Sequence, residues 1–238
     1  MKFLFDCDDT LYDLSWPFKM CLKEFQLPVP QEQIDSFYAC YRAHGDAIFS
    51  KIQTNQITVD QSGAYRILKA CEEYGIPFSE EDVVLFQQCY KHYQQKISMN
   101  PVFHAYFSST ESECGILTNG EDMHQRNKLS TLQVFSYIPA NHIFTSGQIG
   151  VSKPDIRAFQ YVMRALDEKP SDWVYIGDNY INDMEGAKKA GLHTIHFNRH
   201  HQKEGPCSDH VVYTEEELIS LLRKLEGREK NGQILSEA

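Results

Sequence analysis

The chain has 238 residues, 23 of them basic and 33 acidic, for a net charge of −10 with histidine neutral. An acidic balance repels polyphosphate, and the largest basic clusters, Lys188-Lys189 and Arg223-Lys224, are too small to override it, which excludes a nucleic-acid polymer as partner. The 42% hydrophobic content supplies a packed core and excludes wholesale disorder.

In chain order, Lys2 to Phe5 predicts one short buried strand that ends at Asp6. A helical block follows. Ser15 precedes a helix carrying Trp16, Phe18, Leu22 and Phe25, which Pro28 ends. Ile34, Phe37, Tyr38 and Tyr41 mark a second helix, which Gly45 is expected to kink or break before Ile48. Thr58 to Gln61 has the form of a capping box, and Ala64, Ile67, Leu68 and Cys71 then recur at helical spacing up to Gly75. Ser79 opens another helix with Val83, Phe86, Tyr90, Tyr93 and Ile97 on one side. These segments predict a small helical bundle.

From Asn100-Pro101 onward helices and strands alternate. Helices are expected at Met123–Phe135, Pro154–Leu166 and Asp183–Ala190, and from Thr214 to about Leu225. Strands are expected at Cys114–Leu117, Ile143–Thr145, Trp173–Ile176, Thr194–Phe197 and His210–Tyr213. Such alternation means a doubly wound parallel sheet, an α/β Rossmann-like core, with helices on both faces. The first strand must join that sheet, so the helical block is an insertion. The expected domains are a core of residues 1–13 and 99–226, an all-helical cap domain of residues 14–98, and a polar tail of residues 227–238.

Ligands of such a sheet bind beyond the carboxyl ends of its strands. Strand one runs into Asp6-Cys7-Asp8-Asp9-Thr10, the second into Thr118-Asn119-Gly120, and the fourth into Gly177-Asp178, with Asp183 soon after; Lys153-Pro154 follows the third. Clustered carboxylates repel and need a hard cation or a shared proton. Asp6, Asp8 and Asp178 offer oxygens suited to Mg²⁺, Thr118 a hydroxyl for phosphate, and Lys153 a positive charge for a phosphoryl group.

This ordered set resembles the four motifs of the haloacid dehalogenase-like hydrolase superfamily: Phe5-Asp6-Cys7-Asp8-Asp9-Thr10-Leu11, Ile116-Leu117-Thr118-Asn119-Gly120, Ser152-Lys153-Pro154-Asp155, and Ile176-Gly177-Asp178 with Asn182-Asp183. The resemblance implies a hydrolase with Asp6 as nucleophile, forming an aspartyl phosphate, and Asp8 as general acid and base with a raised pKa. It implies Mg²⁺ held by the Asp6 carboxylate, the Asp8 carbonyl and Asp178, with Asp183 in support, and phosphate held by Thr118, Asn119 and Lys153. Many members have Gly where this chain has Asp9; the residue is expected to stabilise the turn or to pair with the cap. Asp8 argues for phosphate esters over haloacids, because displacing halide needs no proton donor. It also argues against phosphonate cleavage through a cap lysine such as Lys19, Lys23 or Lys51.

The expected substrate is a small phosphorylated metabolite. Asp9-Thr10-Leu11-Tyr12 is similar to pyrimidine 5′-nucleotidase-like members, which implies a nucleoside 5′-monophosphate, with Phe18 or Tyr41 stacking on the base and Arg42 and His44 as further specificity candidates. The alternatives are a sugar-phosphate phosphatase or phosphomutase of the same superfamily, or an idle phosphate-binding regulatory protein. A response-regulator receiver domain gathers similar residues, but in another order and without an inserted block.

Of the histidines, His193, His196, His200, His201 and His210 cluster near the end; His200-His201 could hold a transition metal weakly, but the expected reading is a polar loop after the fifth strand. The seven cysteines are scattered without a CxxC pair, so neither a disulfide framework nor a zinc site is expected. No run reaches the ~20 apolar residues of a membrane helix. Phe3 to Phe5 is too short for a secretory signal, so a cytoplasmic monomer or homodimer is expected.

Overall fold

The computed structural model describes residues 1–54 and 56–230. The chain divides into two compact units, one comprising Met1–Asp13 and the chain from Ser98 onward, the other Leu14–Ile97. Among the described residues no helix is long and apolar enough to cross a membrane.

Strand β1 (Lys2–Phe5) precedes five helices, α1 (Trp16–Phe25), α2 (Ile34–Ala47), α3 (Phe49–Gln53), α4 (Val59–Glu73) and α5 (Glu80–Gln94). Capping boxes start α4 at Thr58 and Gln61 and α5 at Ser79 and Asp82, each satisfying otherwise orphaned N–H groups. The aromatic side chains at helical spacing turn inward. Phe18 is fully buried, with its ring centroid 5.6 Å from that of Phe37, 5.4 Å from Tyr38, 4.6 Å from Tyr41 and 5.9 Å from Phe86. Helix α2 ends at Ala47 and α3 starts at Phe49, so the helix breaks at Ile48 as expected, although Gly45 itself stays within the last turn of α2. A Cβ there would lie 2.5 Å from Arg66 Cδ, so the glycine serves close packing of α4 against α2.

The other unit continues with α6 (Pro101–Ser109), β2 (Cys114–Thr118), α7 (Asp122–Thr131), β3 (Ile143–Thr145), α8 (Ser146–Ile149), α9 (Ile156–Leu166), β4 (Trp173–Gly177), a π-helical turn over Tyr180–Glu185, α10 (Gly186–Ala190), β5 (His193–Phe197), β6 (His210–Val212) and α11 (Glu215–Lys230). Among the described residues, six strands pair in parallel in the order β3-β2-β1-β4-β5-β6. This is a doubly wound, Rossmann-like α/β sheet whose connectivity reverses at β1 and β4. Strands β2 and β4 are buried along their whole length, as expected for parallel strands covered on both faces.

Several boundaries shift. Helix α7 stops at Thr131, not Phe135, because Gln133 takes a left-handed conformation with φ 60°. Helix α9 begins at Ile156, capped by the Asp155 side chain, which accepts from Arg157 N–H. The expected tail from 227 is corrected in part: α11 continues to Lys230, while 231–238 lie outside the described residues. Leu218, Leu222 and Leu225 bury one side of α11, and Glu226 accepts from Tyr106 Oη at 2.9 Å on α6.

Candidate active site

Adjacent strands β1 and β4 deliver the first two acids to the switch point of the sheet. Asp6 follows Phe5 and donates its N–H to Ile176 O at 2.8 Å, which extends the pairing with β4 by one residue. Asp178 follows Gly177 at the end of β4. The π-helical turn then brings back Asp183, which is fully buried. Carboxylate oxygens of Asp6, Asp178 and Asp183 lie within 4.8 Å of one another.

Lys153 enters this cluster from the loop after β3. Its Nζ donates to Asp183 Oδ1 and to Tyr175 Oη, each at 2.7 Å, and pairs with Asp6 Oδ1 at 2.9 Å. Tyr175 Oη–H donates in turn to Leu117 O at 2.8 Å, so its oxygen is free to accept from the lysine, which is held from three sides. Burial opposes the ammonium charge, but Asp183 and Asp6 beside it outweigh burial and hold its pKa above the usual lysine range. The carboxyl of Asp6 moves the other way. Burial pushes it up to about 6; Lys153 lowers it, while Asp183 and Asp8 add to the rise. Burial, Asp9, Asp183 and Asp6 together push Asp178 well above the ordinary carboxyl range. Three acids share one lysine, and the site is short of positive charge. The donor set is all oxygen and fits a hard dication such as Mg²⁺.

Thr118, at the end of β2, is buried, and its Oγ1 has no bonded partner. Asn119 Nδ2 donates to Lys153 O and its Oδ1 accepts from Lys153 N–H, both at 2.9 Å. The side chain clamps the main chain of the lysine loop, so any contact of Asn119 with phosphate falls to its backbone N–H.

The largest correction concerns Asp8. A raised pKa is expected from its acidic neighbours, yet the shift is opposite. Lys128 Nζ lies 2.6 Å from both Asp8 oxygens, Gln125 Nε2 donates to Oδ2 at 3.1 Å, and Tyr12 Oη donates to Oδ1. Burial favours the neutral acid, but Lys128 and these hydrogen bonds override it and hold Asp8 well below the usual carboxylate range. Gln125 and Lys128 are both buried and stand three apart on α7, so they share a face. Their only sequence signal is that spacing, directly after the Thr118-Asn119-Gly120 turn.

Asp9 sits in the turn with φ 55°, a conformation that Asp tolerates better than most side chains. Its Oδ1 lies 3.4 Å from His200 Nε2, and this contact raises the histidine pKa. His196 lies in the fifth strand, as expected. It is fully buried on β5, and its Nε2–H donates to Asp178 O at 2.8 Å.

The helical unit also revises the specificity candidates. Phe18 and Tyr41 are interior side chains of that unit, 0% and 1% exposed, so neither presents a free face for a base. Arg42 lies 4.0 Å from Asp46, and His44 pairs with Glu73 at 2.8 Å.

Gly177 has a structural reason to be glycine. A Cβ there would fall 2.3 Å from Asp183 Oδ2, whose carboxylate is fixed by Lys153 and by Asn179 N–H at 3.0 Å. Gly177→Ala is expected to destabilise the protein by about 1–3 kcal/mol through overpacking and to displace Asp183 from Lys153. A lower urea midpoint together with a lower turnover checks this.

The profile of the haloacid dehalogenase-like hydrolases matches residues 3–197. The pyrimidine 5′-nucleotidase PynA of Streptococcus pneumoniae is 23% identical over 228 residues, covering 93% of this chain and 94% of that protein. A glyceraldehyde 3-phosphate phosphatase of Pyrococcus furiosus is 29% identical over 114 residues, and that match spans about half of either protein, 47% of each. Among solved structures, the HAD-hydrolase YfnB of Bacillus subtilis, bound to magnesium, is similar in fold with a TM-score of 0.68 at 23% identity, covering 93% of this chain and 97% of that one.

Proposed function

The chain belongs to the haloacid dehalogenase-like hydrolases, and on that premise we propose that it is a Mg²⁺-dependent phosphomonoesterase for a small phosphorylated metabolite, working through an aspartyl phosphate on Asp6. The observation that carries this reading is the gathering of Asp6, Asp178 and Asp183 around Lys153 at the switch point of the sheet.

In this reading Asp6 attacks phosphorus in line and the P–O ester bond breaks. Lys153 and the unpartnered hydroxyl of Thr118 meet the phosphoryl oxygens as their charge redistributes. Asp8 gives a proton to the leaving oxygen and then takes one from the water that attacks the acyl phosphate, which releases phosphate and restores Asp6. The ion pair with Lys128 makes the carboxylate the resting form of Asp8, suited to the second of these steps. For the first, Asp8 must leave Lys128 and carry a proton. Mg²⁺, held by Asp6, Asp178 and the Asp8 carbonyl with Asp183 in support, would neutralise charge on the phosphoryl group. Asn119 fixes the loop that carries Lys153.

A nucleoside 5′-monophosphate is the proposed substrate class, supported by the near full-length similarity to a pyrimidine 5′-nucleotidase. The matches to glyceraldehyde 3-phosphate phosphatases favour a second reading, a short-chain sugar phosphate, which also accords with the burial of Phe18 and Tyr41. Phosphate release from a panel of nucleotides, sugar phosphates and small organic phosphates, with Mg²⁺ and with chelator, separates them. Pyrimidine monophosphates are expected to be hydrolysed best, and release is expected to stop in chelator. A panel led by triose phosphates supports the second reading, and release that persists in chelator overturns the metal dependence.

A further inference from the structure

The helical unit holds a second cluster of ligating side chains, of different chemistry. Cys40 and His44 are four residues apart on α2 and therefore share one face of that helix. Glu73 is the last residue of α4, which packs against α2. The Cys40 thiol donates to Glu73 Oε2 at 3.1 Å, and His44 Nε2 lies 2.8 Å from Glu73 Oε1. One ligand atom from each residue lies within 4.8 Å of the others.

We propose that Cys40, His44 and Glu73 form a binding site for a thiophilic divalent transition ion of the Zn²⁺ class, which ties α2 to the C-terminal end of α4.

The geometry is close to what such an ion requires. Zinc bonds of ~2.3 Å to sulfur and ~2.0–2.2 Å to nitrogen and oxygen put tetrahedral ligand atoms roughly 3.3–3.7 Å apart. The two contacts on Glu73 are slightly shorter than that, so the cluster needs only a small opening to admit an ion. Charge also balances. A thiolate, a neutral imidazole and a carboxylate carry two negative charges, which a dication neutralises. Binding releases the Cys40 proton, and because burial and Glu73 push that thiol up to about 11, affinity rises with pH. The imidazole of His44 is set edge-on to Tyr65 with ring centroids 6.0 Å apart, which limits its rotation. Lys69, four residues before Glu73 on α4, pairs with Glu72 at 2.5 Å. Glu73 is 57% exposed, which leaves an entry path and a fourth position for water. Sulfur and nitrogen donors select Zn²⁺ over Mg²⁺, the reverse of the all-oxygen cluster in the core unit.

Co²⁺ serves as a spectroscopic stand-in for Zn²⁺. The full chain is titrated with Co²⁺ in excess Mg²⁺, which occupies hard oxygen sites. A sulfur-to-cobalt charge-transfer band with strong tetrahedral d–d absorption is expected, displaced by one equivalent of Zn²⁺. Cys40→Ser is expected to remove the charge-transfer band, and His44→Ala and Glu73→Gln each to weaken Zn²⁺ binding at least about 10-fold. Zn²⁺ is expected to raise the unfolding midpoint of the wild type by several degrees and that of Cys40→Ser by less than a degree. Cys207→Ser, in the other unit, leaves the band in place. A missing band in the wild type, or a band that survives in folded Cys40→Ser, overturns the proposal; circular dichroism shows that each variant is folded.

Discussion

Asp6→Asn is expected to lower phosphate release on the order of 10⁵- to 10⁶-fold, the scale of losing the nucleophile in hydrolases that pass through a covalent intermediate. The amide has the shape of the carboxyl but no nucleophilic oxygen. Its stability should move the opposite way. The folded-state pKa of Asp6 is raised from the ordinary 3.8 to about 6, so the folded protein prefers the protonated form. The stability contributed by that proton is fully present below about pH 4 and is lost as pH rises through about 6. Asn mimics the protonated acid at every pH. In chelator, Asp6→Asn should therefore be as stable as the wild type near pH 4 and more stable above pH 6. Inactive protein with a raised urea midpoint at neutral pH meets this expectation. Inactive protein that is also less stable at neutral pH would mean that Asp6 is a structural acid, neutralised by Lys153.

Lys153→Met is the second large effect, and here activity and stability fall together. The lysine is the countercharge shared by Asp6 and Asp183, and it accounts for the hydrogen bond received by Tyr175. Removing one partner of a buried ion pair strands the other charge, which costs roughly 3–5 kcal/mol. The same substitution removes the cation that would meet the phosphoryl group, so turnover should drop on the order of 10³-fold. Lys153→Arg keeps the charge but replaces a compact ammonium by a planar fork, and is expected to recover part of the stability and little of the rate. Urea unfolding in chelator and initial rates of phosphate release check both halves.

Much of the core was legible because its signals are local. Each motif stands at the end of a short apolar run, and the alternation of runs with helical spacing implies a parallel sheet. The positions of Asp6, Thr118, Lys153 and Asp178 near one sheet edge follow from that alone. What escaped depends on contacts between distant segments. The sequence neighbours of Asp8 are acidic, whereas its charge state is set by Lys128 about 120 residues away. Lys128 looks like any surface lysine until α7 folds its Gln125 and Lys128 face onto the turn after β1. Asn119 stands in a phosphate-binding motif, yet its amide is committed to the loop bearing Lys153, a pairing that spans 34 residues.

The helical block was harder for another reason. Helical spacing shows that Phe18 and Tyr41 lie on an apolar face, but not whether that face meets other helices or a ligand. In the structure both lie among neighbouring aromatic rings. Gly45 marks the break between α2 and α3, but the room it leaves for Arg66 depends on a contact with α4 that local spacing does not show. The Cys40, His44 and Glu73 cluster was hidden by a spacing that resembles no paired-cysteine motif and by a ligand drawn from a different helix.

A phosphoryl group on Asp6 can be trapped chemically. Enzyme turning over a hydrolysed ester with Mg²⁺ is quenched and reduced with borohydride, which converts an acyl phosphate to the alcohol. The peptide containing residues 6 to 8 is then sequenced by mass spectrometry. Homoserine is expected at position 6 in protein quenched during turnover, and aspartate there when substrate is omitted. Unreduced Asp6 during rapid turnover, or reduction at Asp8 instead, would contradict Asp6 as the carrier of the phosphoryl group.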